Sequence, residues 1–431
     1  MKIEIRNGRV IDPAHGVDRM TSLFIAAGKV AALGTPPPGW HANRAIDARG
    51  LVICPGLIDI AARLREPGFE YKATLESEMQ AAIAGGVTSL ACPPDTDPPL
   101  DEPGLVEMLK HRARQLNQAR VYPVGALTVQ LAGTTLTEMG ELAEAGCIAF
   151  SHADRPLVDT QLLLRAMQYA ATFGHRVWLR PQDPHLGKGG VAHDGEVATR
   201  LGLAAIPGAA ETIAIATILA LARETGSRVH LCRLSTAEGV AMVRAAKQEG
   251  LPVTCDVGVH HLHLCDVDIG WFDAHANLTP PLRGTRDRAA LRAGLVDGTI
   301  DIVCSDHTPV DDDGKQLPFA EAEPGATGLE LLLPLTLKWA AEERIGLPAA
   351  LAKITRAPAA LLGIEAGSLA VGRSADVCIF DPAAHWKVEP SALKSQGKNT
   401  PFLGLEVPGR VRYTLVEGIV FAGEPMPPTK P

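Results

Sequence analysis

Gly56-Leu57-Ile58-Asp59-Ile60-Ala61-Ala62-Arg63-Leu64-Arg65-Glu66-Pro67-Gly68 is the stretch on which the reading of this chain turns. Its apolar run, Leu57 to Ile60, has the length of a short buried strand. The polar residues after it, closed by Pro67-Gly68, read as a loop. The same unit recurs through the middle of the chain. Apolar runs follow at Thr88–Cys92, Val121–Val124, Cys147–Ser151, Val177–Arg180, Val229–Leu234, Val253–Val257 and Ile300–Ser305. Each leads through polar or turn residues into a helix-like segment, clearest at Leu105–Leu116 and Ala210–Ala222. Eight such units predict an α/β fold, a TIM (β/α)8 barrel with its sites at the C-terminal ends of the strands. A doubly wound open sheet is the alternative; the count of eight and a divided terminal domain favour the barrel.

The two ends of the chain share a different texture. Ile3 to Val10 alternates, and Thr21 to Leu33 reads as strand, Gly28-Lys29 turn and strand. Ala375 to Phe380, then Val411 to Phe421 with a Glu417-Gly418 turn, repeat the pattern. Residues 1–53 and 365–424 are thus predicted to build one small β-sandwich domain around a barrel spanning 54–364. The Pro-rich tail, 425–431, is predicted to be loose.

At 431 residues the chain exceeds one ordinary core. A net charge of −8 without any Lys/Arg block argues against a nucleic-acid partner. The apolar runs are too short to span a bilayer, and the first residues lack a signal-peptide core. The eight cysteines include no Cys-x-x-Cys pair. Several, such as Cys92, Cys147, Cys304 and Cys378, lie inside apolar runs as small buried thiols, which points to a reducing, cytoplasmic setting.

The opening stretch resembles the dihydroorotase branch of the amidohydrolase superfamily, whose pattern here is Gly-Leu-Ile-Asp-x-His-x-His-x-Arg-x-Pro-Gly. Further matches in the same order are Asn277-Leu278-Thr279-Pro280-Pro281-Leu282-Arg283, Glu323-Pro324-Gly325 and Asn399-Thr400-Pro401. In that family histidines and carboxylates at the strand ends hold catalytic zinc. In this chain Ala61 and Arg63 stand at the two histidines of the first strand. Phe150-Ser151-His152-Ala153-Asp154 replaces Phe-Thr/Ser-Asp-Asp-Gly, with His152 at a ligand position. Arg180 and Arg233 replace the histidines of the fifth and sixth strands, and Asp306 survives at the eighth. The resemblance also assigns the substrate pocket to Arg65, to Asp95, which stands where the family has Asn, and to Gly325. The family's His after Asp-His-Ala-Pro is Val310.

Chemistry leads to the same conclusion. Alanine offers no ligand atom, and a guanidinium has five donors, no acceptor and a pKa above ~12, so neither ligates a cation. The expected metal content and cofactor are therefore none. Asp306, the residual catalytic candidate, is expected to pair with Arg63, Arg180 or Arg233, since a buried charge needs a partner. Asp95, Asp154 and Asp183 are further candidates to balance the arginines. The cluster is expected either to close as an Arg–Asp plug or to bind a small anion through its Arg forks; the retained carboxylate favours the plug. Arg65 has a structural reading as a brace for the loop through Glu66 or Asp95. His260, His261 and His263, read in a strand, cannot converge on one face. A substitute metal site from these, His152, His230, Cys232 and His307 is a disfavoured alternative. Asp311-Asp312-Asp313 reads as a solvated loop.

The pattern is most similar to the non-catalytic dihydroorotase-like proteins that accompany aspartate carbamoyltransferase in some bacteria. That similarity implies a structural subunit of an oligomeric complex in pyrimidine biosynthesis. The alternatives are an active dihydroorotase or related cyclic amidohydrolase with an atypical metal site, and a small-anion sensor.

Overall fold

The computed structural model describes residues 1–422; the tail at 425–431 lies outside them. Five strands open the chain: β1 Lys2–Asp12, β2 Val17–Ala26, β3 Lys29–Leu33, β4 Arg44–Asp47 and β5 Val52–Pro55. The barrel region contributes β6 Leu57–Asp59, β7 Val87–Cys92, β8 Arg120–Pro123, β9 Gly125–Ala126, β10 Phe150–Ser151, β11 Arg176–Leu179, β12 Ala192–His193, β13 Ala205–Ile206, β14 Arg228–Leu231, β15 Val253–Gly258 and β16 Ile302–Cys304. The chain returns through β17 Val377–Lys387, β18 Glu406–Val416 and β19 Ile419–Ala422.

The eight apolar runs form the barrel. β6, β7 and β8 pair in parallel, and so do β9, β10, β11, β14, β15 and β16. β8 and β9 are one strand in two parts. β8 bonds back to β7 and β9 forward to β10, joined where Val124 N–H reaches Cys92 O at 2.9 Å. The ring closes at its mouth, where Arg63 N–H donates to His307 O and His307 N–H to Ala61 O, both at 2.9 Å. Side chains alternate as the two-residue strand period requires. Ile58, Ala91, Val124, Ala149, Trp178, Ile302 and Cys304 pack together inside. Leu57, Leu90, Val177, Leu179, Val229, Leu231 and Val303 join the core shared with the surrounding helices.

A helix follows each barrel strand, at Leu75–Ala84, Pro103–Leu116, Met139–Ala145, Thr160–Phe173, Ala209–Thr225, Ala237–Gln248, Thr285–Asp297 and Leu332–Glu342. The first begins at Thr74, whose hydroxyl accepts from Ser77 N–H while Ser77 reaches back to Thr74 N–H, which satisfies two orphan donors at once. Between β11 and its helix the chain makes an excursion through β12 and β13. These pack with Ile269, Leu278, Leu282 and Phe319 into a separate apolar cluster at the mouth.

Both ends of the chain meet in one sheet, in the order β19-β18-β17-β5-β1-β2-β3 with β4 also on β1. The two layers expected of a sandwich are thus hydrogen-bonded into a single path. Register shifts bend it between Ile5 and Gly8 and between Asp381 and His385. β5 runs through Pro55, two residues past the expected boundary, and pairs with β17. Gly56 then turns directly into the first barrel strand. A Cβ there would lie 2.2 Å from the Thr88 hydroxyl, so the close approach of β6 to β7 requires glycine. His260 and His261 belong to a 3-10 turn, Val259–Leu262, not to a strand. Asp312–Gln316 forms a short helix where a loop was expected, with Asp312 and Asp313 still exposed.

Candidate functional site: an arginine–aspartate network at the barrel mouth

The backbone at the mouth is held by buried carboxylates. Asp59 accepts from Ser305 N–H at 2.8 Å and from its hydroxyl, which sets the turn carrying Asp306. Glu211 accepts from the N–H groups of Ser235 and Thr236 and from both hydroxyls, immediately after Arg233. Asp256 takes Arg233 N–H at 2.9 Å. Arg65, Ala153, Arg233 and Asp306 all adopt positive φ, between 48 and 62°. That conformation is sparsely populated for non-glycine residues and persists only where surroundings over-determine it.

These turns aim three guanidinium groups at one carboxylate. The Asp154 carboxylate accepts from Arg63 Nη2 at 2.5 Å and from Arg233 Nη2, and forms an ion pair with Arg180 Nε at 2.6 Å. Arg63 also donates from Nε to Asp95 at 2.7 Å and from Nη1 to the Thr308 hydroxyl at 3.0 Å. Arg233 Nη1 donates to Asp306 at 2.8 Å and to Thr279 O at 3.2 Å. Arg180 completes its set with Gln182 and Asp154 O. The three arginine side chains are about 5–6% exposed, against 31% for Asp154 and 26% for Asp95. Three cations thus face three carboxylates: Asp95, Asp154 and Asp306.

Burial and charge compete in this network. Burial raises the Asp154 carboxyl, but Arg233, Arg63 and Arg180 outweigh it and hold the group well below the usual carboxylate range. For Asp306 burial prevails over Arg233 and Arg63, and its carboxyl is raised. Burial likewise lowers Arg180, which has Asp154 as its carboxylate partner. Arg63 and Arg233 each lie between more than one carboxylate, which outweighs burial and raises them.

Other candidates fall outside the network. The residue that joins the arginines from the fourth strand is Asp154, not His152, whose ring lies 2.9 Å from the Thr128 hydroxyl and 2.7 Å from Arg155 O. Asp183 caps His185 and Leu186 N–H groups instead of balancing an arginine. Asp306 pairs with Arg233 and, more loosely, Arg63 at 3.7 Å. Arg65 is not braced by hydrogen bonds to Glu66 or Asp95. Its Nε donates to Pro309 O at 2.8 Å and its Nη2 lies 3.7 Å from Glu323, while Glu66 pairs with Arg112. Ala61 lines a cavity of about 30 Å³ beneath the arginines, with Trp178, Cys232 and Asp256, space for about one water. Gly325, at φ +131°, donates N–H to Asn277 O at 2.9 Å and accepts from Asn399 at 3.0 Å, so both of its backbone groups are used internally.

A divalent cation does not fit the arginine positions, because their nitrogens are donors with no lone pair to offer, engaged by carboxylates, Thr308, Gln182 and backbone carbonyls. The four-histidine site that the family resemblance describes has no counterpart here. One other cluster among the described residues has the right chemistry: ligand atoms of His230, Cys232 and Asp256 lie within 4.8 Å of one another. The His230 ring is engaged at both nitrogens, 2.8 Å from Thr254 and 2.8 Å from Asp256. Burial and neighbouring Asp256 push the Cys232 thiol up, so it is a thiol rather than the thiolate a metal takes. His152 and His307 do not join it; His307 instead lies 2.5 Å from buried Glu78.

A family model described as Dihydro-orotase-like matches residues 50–239, and one described as Amidohydrolase family matches 191–422. A dihydroorotase-like protein of Pseudomonas aeruginosa is 45% identical over 418 residues, covering 97% of this chain and 99% of its own. A dihydroorotase of Syntrophotalea carbinolica is 42% identical over 418 residues, covering 97% and 98%. Among solved structures, the L-hydantoinase (dihydropyrimidinase) of Arthrobacter aurescens superposes with a TM-score of 0.87 at 26% identity, over 98% of this chain and 97% of that one. The fold and these matches together define the amidohydrolase class of barrel. Within that class, the chain belongs to the dihydroorotase-like family. No helix of the described residues is long and apolar enough to cross a membrane.

Proposed function

We propose that this chain is a non-catalytic dihydroorotase-like protein and a structural partner of aspartate carbamoyltransferase in pyrimidine biosynthesis. The observation that carries the reading is the Arg63–Arg180–Arg233 set closed on Asp95, Asp154 and Asp306. In metal-dependent amidohydrolysis the ion generates hydroxide near neutral pH and polarises the carbonyl; here the arginines offer no ligand atom, and Asp95, Asp154 and Asp306 are each already paired with one or more of them. An intact barrel without that chemistry serves through its surfaces, since fold and function are separable. Resemblance to the carbamoyltransferase-associated proteins supplies the partner. The network also serves this reading better than an anion site, because each fork already faces an internal carboxylate.

A second reading, a hydrolase of cyclic amides with an atypical metal, is favoured by the His230–Cys232–Asp256 cluster and by relatives named dihydroorotase. One experiment separates the two. The purified protein is assayed for zinc and for interconversion of dihydroorotate and carbamoyl aspartate, then co-expressed with aspartate carbamoyltransferase and passed over a sizing column. The first reading expects no stoichiometric zinc, no turnover and co-elution. Zinc at one or two ions per chain with turnover above background establishes the second, and separate elution at micromolar concentration removes the first.

A further inference from the structure

The chain has five tryptophans. Trp178 and Trp339 are buried, and Trp40 and Trp386 are half-buried. Trp271 is 88% exposed. It sits in the loop after β15, at the same end of the barrel as the arginine network; the base of that loop supplies Thr279 O to Arg233. Exposed Val267 and Phe272 lie beside it in sequence, and the Trp271 and Phe272 rings meet edge to face at 5.7 Å. Exposed Leu317 lies on a segment packed against the same loop.

The loop is built to hold the indole out. Buried Ile269 anchors it in the mouth cluster. Lys315, itself buried, donates to Ala274 O at 3.0 Å and Asn277 O at 3.3 Å. Asp266 N–H bonds Arg283 O at 2.8 Å. Phe272 is held at φ 61°, a conformation that costs a non-glycine residue energy. A rigid, exposed aromatic loses little entropy when it enters a partner's pocket, which is why tryptophan dominates interface hot spots. The exposed charges on the loop and on 311–322 are acidic, while half-buried Arg288 meets only the start of the loop, at His263 O. Asp268, Asp273, Asp312, Asp313 and Glu321 are exposed, and Lys315 is the one Lys or Arg within 264–282 and 311–322.

We propose that the Trp271 loop is a docking knob for a protein whose surface carries an apolar pocket rimmed by Lys or Arg. This rests on the reading of the chain as a partner of aspartate carbamoyltransferase, and it assigns the contact to the mouth face. The acidic rim selects against the other occupants: a second copy would bring carboxylates against carboxylates, and an anionic membrane would be repelled.

The test mixes purified aspartate carbamoyltransferase with the wild-type chain, with Trp271→Ala and with the double variant Asp312→Lys/Asp313→Lys. Association is followed by sizing and by tryptophan emission. The wild type should co-elute, with emission moving to shorter wavelength and affinity falling as salt rises. Trp271→Ala should weaken association about tenfold or more, with an unchanged thermal midpoint because the side chain is exposed, and the double variant should also weaken it. Equal binding by wild type and Trp271→Ala overturns the knob and leaves the partner reading standing. No binding by the wild type removes the partner reading, and the knob with it. Trp271-dependent self-association or binding to anionic vesicles, without the carbamoyltransferase, overturns the assigned partner.

Discussion

Asp154 carries more of the mouth than any single arginine does. Three guanidinium groups converge on it, so its removal leaves three buried cations short of a partner, whereas removing Arg180 leaves Asp154 with Arg63 and Arg233. Asp154→Ala is therefore expected to cost about 3 kcal/mol or more, and Arg180→Ala about 2 kcal/mol or less, the scale of a lost charged hydrogen bond. Asp306→Asn should cost less than Asp154→Asn, because burial already disfavours the ionised form of Asp306. Urea unfolding of the four variants checks the order; an Arg180→Ala loss equal to that of Asp154→Ala would remove Asp154 as the hub. The pH dependence of Asp154 has a definite sign. Its folded carboxyl lies below its ordinary value of 3.8, so its stabilisation is complete above about pH 4 and is lost as pH falls toward the folded value.

At the scale of the element, the turn after β15 makes the fold sensitive to mild acid. Burial pushes His260, His261 and His263 down to about 4 from 6.5. These rings stay neutral in the folded chain while the unfolded chain takes up protons first. Stability is then full above about pH 6.5, falls as pH drops from there to about 4, and flattens below for this source. Denaturant midpoints measured across that window should follow the slope, and His260→Leu should reduce it by about one proton's worth. An unchanged slope would show that His260 is not among the groups that titrate on unfolding. A second element carries a simpler expectation: Thr74→Ala breaks the reciprocal cap of the helix Leu75–Ala84 and should cost about 1 kcal/mol in thermal or chemical unfolding.

For the whole molecule, the barrel and the chemistry at its mouth are separable. Arg63, Arg180 and Arg233 come from three different strands and still meet within one carboxylate's reach. The combined variant Ala61→His, Arg63→His, Arg180→His and Arg233→His puts imidazole lone pairs in place of one methyl and three guanidinium groups beside Asp154 and Asp306. It is expected to take up more zinc per chain than the wild type measured beside it, read by elemental analysis. A folded variant with no more zinc than the wild type would mean that the strand ends no longer hold ligand geometry.

Sequence alone determined the barrel's eight strands and their order, because each short apolar run is dictated by burial between helices and has a period that a single chain displays. It also determined which ligands are missing, since Ala61, Arg63, Arg180 and Arg233 lack lone pairs in any conformation. What it left open was pairing. On the sequence Asp306 is the expected partner, with Asp95, Asp154 and Asp183 as further candidates; only the folded mouth makes Asp154 the hub, joins Asp95 and Asp306 to it and leaves Asp183 capping a turn. Likewise only the bend after Gly258 places His260 and His261 in a 3-10 turn rather than on a continued strand. Only the packed loop around Trp271 decides that its indole faces outward. Local pattern reports burial and chemistry residue by residue, whereas a buried charge's partner and a side chain's exposure are set by contacts between segments far apart in the chain.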